Sequence, residues 1–265
     1  MLLTNENYHS PEANHVYMSV SQYKDFCGTL GKIPCEAQAM AKLKGEWGQE
    51  KSTALLVGSY VDAHFENSLA LFKSQNPEIF TKQGGLRAEY KKAEEIISRI
   101  ERDEFFMKHL SGEKQVIMTA ELYGVEWKVK LDSFHPDVCI VDLKIMKSLR
   151  ESFWTKDYGH MDFVRYWGYD LQAAIYQEVV KINTGKQLPF FIAGASKEKE
   201  TDLEIIKIPQ NWLDDRLMDV EKEVPKIIDL KNGEYDPIRC ECCDYCKFTK
   251  VLERSIWADA LIGEI

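Results

Sequence analysis

The 265-residue sequence contains no apolar run near the eighteen or so residues that a membrane-spanning helix requires, so no membrane association is expected. Its start, MLLTNENYHSPEANH, lacks the basic residues and apolar block of a secretory leader, and the expectation is a cytoplasmic protein. No internal repeat or low-complexity tract is present. Positive charge is scarce: 34 Lys and Arg stand against 43 Asp and Glu, a net charge of −9. By itself that weighs against a phosphate-binding protein. It does not exclude one, because a basic channel can sit inside an acidic exterior, and a metal centre concentrates carboxylates of its own. What remains is an ordinary globular mixture, 45% apolar and 29% charged, long enough for one large domain or two small ones.

Residues 19–27 (SVSQYKDFC) read as a capped helix start, with Ser19 or Ser21 at the N-cap. Residues 34–46 and 51–72 also read as helices, the second with apolar residues at the spacing of one buried face. A loop at 75–86 carries Pro77, Gly84 and Gly85, and a charged amphipathic helix over 87–110 closes near Gly112. Three strands follow at 114–123, 125–134 and 138–146, turned at Gly124 and at His135-Pro136-Asp137. A long helix at 162–183, strands at 188–195 and 202–208, and a helix at 210–232 complete the pattern. The order predicts an α/β (α+β) fold with a central mixed β-sheet flanked by helices, and no domain boundary over 1–265. Within it, 1–112 is mostly helical, 113–210 holds the sheet, and 211–265 is a helix with a cysteine-rich tail.

Asp132 near the end of one strand, and Asp142-Leu143-Lys144 on the next, form the sharpest feature. Strand side chains alternate, so Asp142 and Lys144 share a face while Leu143 enters the core. The turn at 135–137 can bring Asp132 beside Asp142. Converging carboxylates repel unless a cation neutralises them, and hard oxygen donors suit Mg²⁺ or Mn²⁺. The alternative is a solvated strand face with one ion pair. Against it, Asp142 lies within Val-Cys-Ile-Val-Asp-Leu-Lys-Ile, where an unpartnered charge is costly. Pro136-Asp137 is an ordinary turn pair, and Asp132 is the preferred acidic ligand.

These residues resemble the RecB-like branch of the PD-(D/E)xK nucleases, most of all phage-type RecE exonucleases. The resemblance runs through Ser19-Val-Ser21-Gln-Tyr-Lys24-Asp-Phe, Gly58-Ser-Tyr-Val-Asp62, Asp132…Asp142-Leu-Lys144 and the Q-x-x-x-Y helix motif Gln172-Ala-Ala-Ile-Tyr176. It implies a restriction-endonuclease-like core in which Asp132, Asp142, Lys144, Gln172 and Tyr176 are catalytic. Gln172 and Tyr176, four apart, lie on one helical face. They either contact a DNA phosphate or the metal site, or pack the helix against the sheet. The branch usually has Gly-x-x-x-His at 58–62; here Asp62 takes that place. The metal set so implied is Asp62, Asp132, Asp142 and the Leu143 backbone carbonyl, with Glu66 and His64 as alternatives.

The resemblance further implies 5′-to-3′ digestion of linear double-stranded DNA from its ends, leaving a 3′ single strand. It implies a homo-oligomeric ring (trimer or tetramer), a single-strand annealing partner of the RecT kind, and a phage or prophage origin in a bacterial host. Lys24, Lys42, Lys44, Lys51, Lys147, Arg150, Lys156 and Arg165 are candidate phosphate contacts. Trp154, Tyr158, Tyr166 and Trp167 are candidates for stacking on bases or for packing.

Four of the seven cysteines crowd into residues 240–246. Cys240, Cys243 and Cys246 give C-x₂-C-x₂-C, a ligand spacing for iron–sulfur or zinc. Some RecB-like nucleases tie their ends with a [4Fe–4S] cluster through one early cysteine and three late ones, which implies Cys35 as the fourth ligand. The tail departs from that pattern, with Thr249 where the last cysteine falls. The alternative is a set of reduced thiols packing a turn.

Overall fold

The structure, a computed structural model, describes residues 1–48 and 52–258; Lys51, the expected start of the second long helix, lies outside them. The helical first part comprises α1 (Pro11–Val16), α2 (Val20–Cys27), α3 (Glu36–Leu43), α4 (Thr53–Phe65), α5 (Leu69–Gln75), α6 (Ala88–Glu101) and α7 (Glu104–Leu110). Strands β1 (Val116–Leu122), β2 (Val125–Leu131), β3 (Ser133–His135), β4 (Cys139–Met146), β5 (Phe153–Thr155) and β6 (Gly159–Met161) follow. Then come α8 (Phe163–Tyr166), α9 (Tyr169–Thr184), β7 (Phe190–Ser196), β8 (Leu203–Lys207), α10 (Gln210–Asn232) and α11 (Asp244–Phe248). No helix among the described residues is long and apolar enough to cross a membrane.

Ser19 caps α2, its hydroxyl accepting from the Gln22 N–H at 3.3 Å. Three spans expected to be single helices are broken, each for a local reason. Asn67, at φ 61°, separates α4 from α5. Asp103 starts α7 afresh by accepting from Phe106 N, which ends the helix expected over 87–110. Gly168, at φ 63°, separates α8 from α9. The periodicity runs through these breaks because the apolar residues on both sides of each feed the same packed clusters.

The central sheet has the order β3-β4-β7-β8, with β4 and β7 parallel and the other pairs antiparallel, so it is mixed as expected. The expected three-strand meander is divided. β1 and β2 form a two-stranded sheet of their own, from Val116↔Leu131 to Leu122↔Val125, tied to the rest by single bridges, Met18 to Trp127 and Glu113 to Phe134. The chain bends at Asp132 and re-enters the central sheet as β3, with Ser133 opposite Val141. A short hairpin, β5–β6, was not anticipated.

The sheet separates two apolar clusters. Ile140, Phe190 and Ile192 pack towards α2, α9 and α10, whereas Val141, Leu143, Ala193 and Ala195 pack towards α4, α6 and α7. Strand parity therefore aims Asp142 and Lys144 at the α2–α9 side, and Leu143 at the opposite side.

Candidate active site

Because β3 is only three residues long, it leaves β4 at Val141. From Asp142 onward that edge of β4 is open, and a buried edge N–H needs another acceptor. Asp132 supplies it: its Oδ2 accepts the Leu143 N–H at 3.0 Å. The bend between the two sheets thus places one carboxylate beside the next strand. Asp142, 4% exposed, accepts from Gln172 Nε2 at 2.7 Å and contacts the Lys144 ammonium directly. Lys144 Nζ also reaches the Leu143 carbonyl at 3.4 Å and lies 5.3 Å from the Tyr169 ring centroid. Asp62 reaches the same cleft from α4, which packs on the other face of the sheet.

The electrostatics are those of a crowded acidic site. Burial first, and then the Asp142 charge, push Asp132 up to about 7. Burial, followed by the Asp132 charge, holds Asp62 well above the usual carboxylate range. Burial would lower Lys144, but the Asp142 and Asp132 carboxylates outweigh it and keep the amine firmly protonated. Asp62 Oδ1 is buried and has no hydrogen-bond partner among the described residues. An orphaned carboxylate oxygen beside two more carboxylates is an incomplete arrangement that a hard divalent cation completes. Asp62, Asp132, Asp142 and the Leu143 carbonyl therefore fit the metal that such a core implies.

Of the two alternative ligands, Glu66 stays close, lining a small recess with Asp62 and Asp132, but its Oε1 accepts from Gln115 Nε2 at 2.7 Å. His64 does not join the carboxylates. Its Nε2 lies 2.8 Å from Glu101 Oε1 on α6, as expected for a side chain about 200° around the helix from Asp62. Tyr176 lines the cleft and packs on Phe190; burial, then Tyr8 and Asp142, hold its hydroxyl well above the usual phenol range.

The cleft, about 460 Å³, also collects Lys24, Lys42, Lys128, Lys130 and His9. This lining gathers positive charge at one cleft of an acidic protein. Lys24 donates to the Trp167 carbonyl at 3.0 Å and is lowered to about 7, by burial first and then by the Lys144 charge. Lys147, Arg150 and Arg165 are not among the cleft's lining residues. Arg150 is engaged by Glu204 and Asp202, Lys147 pairs with Glu151, and Arg165 pairs with Asp162 and stacks over Trp212 at 4.4 Å. Tyr166 and Trp167 pack against Phe153, while Trp154 and Tyr158 on the β5–β6 hairpin are exposed.

Sequence reasoning missed Tyr8, Lys128 and Lys130. Lys128 is almost wholly buried, bonded to Tyr8 O and to Asn14 Oδ1, with its amine 4.8 Å from the Tyr8 ring centroid. The signal was present in the two-residue spacing Lys128-x-Lys130-x-Asp132, which runs along one face of the strand and its continuation.

Away from this cleft, Cys35 meets Cys240, Cys243 and Cys246, with all four sulfurs within 4.8 Å of one another.

Residues 19–249 match the family described as "PDDEXK-like domain of unknown function (DUF3799)". The crystal structure of a protein from Eubacterium rectale named "Putative exonuclease" is 59% identical, with 100% of each chain covered and a TM-score of 0.98. The crystal structure of SSO0001 shares 11% identity over 69% of this chain and 81% of that one, at a TM-score of 0.28 too low to bear on the fold. No curated protein matches.

Proposed function

The chain belongs to the PDDEXK-like DUF3799 family of the PD-(D/E)xK nuclease superfamily, and on that premise we propose that it is a divalent-metal-dependent exodeoxyribonuclease acting on linear double-stranded DNA. The observation that carries this reading is the meeting of Asp62, Asp132, Asp142 and Lys144 in a lysine-lined cleft. The exonucleolytic part rests on the resemblance to RecE-type enzymes and on the name given to the Eubacterium rectale protein. Digestion runs 5′ to 3′ and leaves a 3′ strand for a single-strand annealing protein. A ring of three or four subunits would keep the enzyme on its substrate.

Asp62, Asp132, Asp142 and the Leu143 carbonyl would hold Mg²⁺ or Mn²⁺, which would supply Lewis-acid polarisation of the phosphate and a water of lowered pKa. The protein's own groups do the rest. Lys144, kept protonated by its carboxylate neighbours, is an electrostatic stabiliser of the phosphorane-like charge and not a base. Gln172 fixes the rotamer of Asp142, leaving that carboxylate's other oxygen towards Lys144. Tyr176, protonated, is a neutral donor at the rear of the cleft. Lys24, Lys130 and Lys42, the last paired with Asp25 at 2.9 Å, line the cleft and are the groups to contact the phosphates.

The test uses linear duplex labelled at either end, with a covalently closed plasmid as control. Stepwise loss of the 5′ label in Mg²⁺ or Mn²⁺, an intact plasmid and full inhibition by EDTA are expected. Asp142→Ala lowers kcat/KM by roughly a thousandfold or more. Plasmid cleavage would show an endonuclease instead, and undiminished activity of Asp142→Ala would remove the site assignment.

A further inference from the structure

We propose that Cys35, Cys240, Cys243 and Cys246 bind a single Zn²⁺ ion, as a clasp that pins the tail of the chain to α3, and that they do not hold an iron–sulfur cluster. The first argument is dimensional. Cys35 Sγ lies 3.5 Å from Cys246 Sγ, Cys240 Sγ lies 3.9 Å from Cys246 Sγ, and no pair of the four exceeds 4.8 Å. A tetrahedron with Zn–S bonds of about 2.3 Å has edges of about 3.8 Å. In a four-iron cluster each sulfur binds a different iron, and the irons with their bridging sulfides occupy the space between the cysteines. The cage here is too small for that and the right size for one ion.

The second argument concerns the sulfurs' other partners. The Gln38 N–H points at Cys35 Sγ (3.4 Å), Cys243 N–H at Cys240 Sγ (3.3 Å) and Cys246 N–H at Cys243 Sγ (3.4 Å). Backbone donors aimed at thiolate sulfur offset the negative charge that four thiolates leave around a divalent ion. The Arg239 guanidinium adds positive charge beside them, donating to Cys246 O at 2.8 Å. No disulfide accounts for the cluster: all four cysteines are unbridged, and the sulfurs stand well beyond bonding distance.

The third argument is structural need. The apolar cluster that joins the tail to α3 has only Cys35, Ala37 and Cys246 as its buried members, far too little to hold a segment in place by burial. Two hydrogen bonds supplement it, Ala37 N to Ile238 O (3.1 Å) and Ile238 N to Glu36 (2.8 Å), together with ring contacts of Trp47 with the tail's Tyr245 (5.5 Å) and exposed Phe248 (5.6 Å). A metal bond makes the attachment firm. The attachment matters because α3 also supplies Ala39 and Lys42 to the wall of the catalytic cleft. The ion steadies that wall and takes no part in the chemistry.

The protein is to be overproduced in medium containing both zinc and iron, purified anaerobically, and submitted to elemental analysis. One zinc per chain, no iron and no visible absorption are expected. Cys246→Ser loses the zinc. Cys242→Ser, whose cysteine stands outside the set of four, keeps it, as does Asp142→Ala. Stripping zinc from the wild type with a strong chelator exposes residues 233–243 to proteolysis. Iron with labile sulfide and broad visible absorption would overturn the proposal in favour of a cluster. Metal-free protein whose four thiols titrate freely would overturn it outright. Should Cys246→Ser fail to fold, the wild-type metal content and the Cys242→Ser variant still decide.

Discussion

Asp132 serves two purposes at once: it satisfies the open edge of β4 through Leu143 N, and it faces Asp142 and Asp62 across the cleft. In the metal-free protein these purposes conflict. Its carboxyl is raised from 3.8 to about 7, by burial and by Asp142. A raised folded-state value favours the fold below the ordinary carboxylate range, and that contribution is lost as pH rises through about 7. In EDTA, thermal stability should therefore fall between pH 5 and pH 8, and added Mg²⁺ should restore it. Asp132→Asn keeps an oxygen for the Leu143 N–H but carries no charge. It should flatten the pH dependence in EDTA, raise Tm at pH 8 and abolish cleavage. A Tm lower than wild type under those conditions would contradict this account. At this scale the sequence was informative where two-residue parity decides: Asp142, Leu143 and Lys144 point as alternation requires. The same parity puts Lys128 on the face of Asp132, but its burial was not legible, because the partners that bury it, Tyr8 and Asn14, lie more than a hundred residues away.

Among the elements, the breaks in the helices were the least legible, and one of them positions a cleft residue. The pattern over 162–183 gives one helix, yet Gly168 adopts a left-handed conformation and splits it into α8 and α9. The reason is a close approach. A Cβ on Gly168 would lie 3.0 Å from Thr29 Cγ2 and 3.2 Å from Lys24 Cε. Gly168→Ala should cost about 1–2 kcal/mol from the left-handed backbone alone, read by urea denaturation. Displacing Lys24, it should also weaken duplex binding. Unchanged stability would mean that the turn relaxes without strain. The Gln172–Tyr176 pair was legible because both residues fall after the break, on an unbroken stretch of α9.

For the molecule as a whole, the net charge of −9 gave the least guidance about function, because the sum conceals a gathering of lysines at one cleft. Binding to duplex DNA in Ca²⁺, or in the Asp142→Ala variant, should weaken steeply with salt. Lys130→Ala should lower affinity similarly for all sequences and reduce the slope of log K against log salt by about 1. An unaltered slope would place the phosphates elsewhere. The mixed sheet was legible because its strands are apolar and bounded by turns, while the division of the expected meander between two sheets depends on a bend at one residue that no periodicity reports. That bend has a further consequence. The β1–β2 ladder stops at Val116↔Leu131 and resumes beyond the bend as the single Glu113↔Phe134 bridge, which ties the base of the hairpin to β3. An insertion at the Tyr123-Gly124 tip would extend the hairpin without shifting the alignment of β3 on β4. Length can therefore vary at that tip with the acidic centre left in place, whereas the body of the arm is fixed, because β2 buries Trp127 and Val129 in the core and carries Lys128 and Lys130 into the cleft.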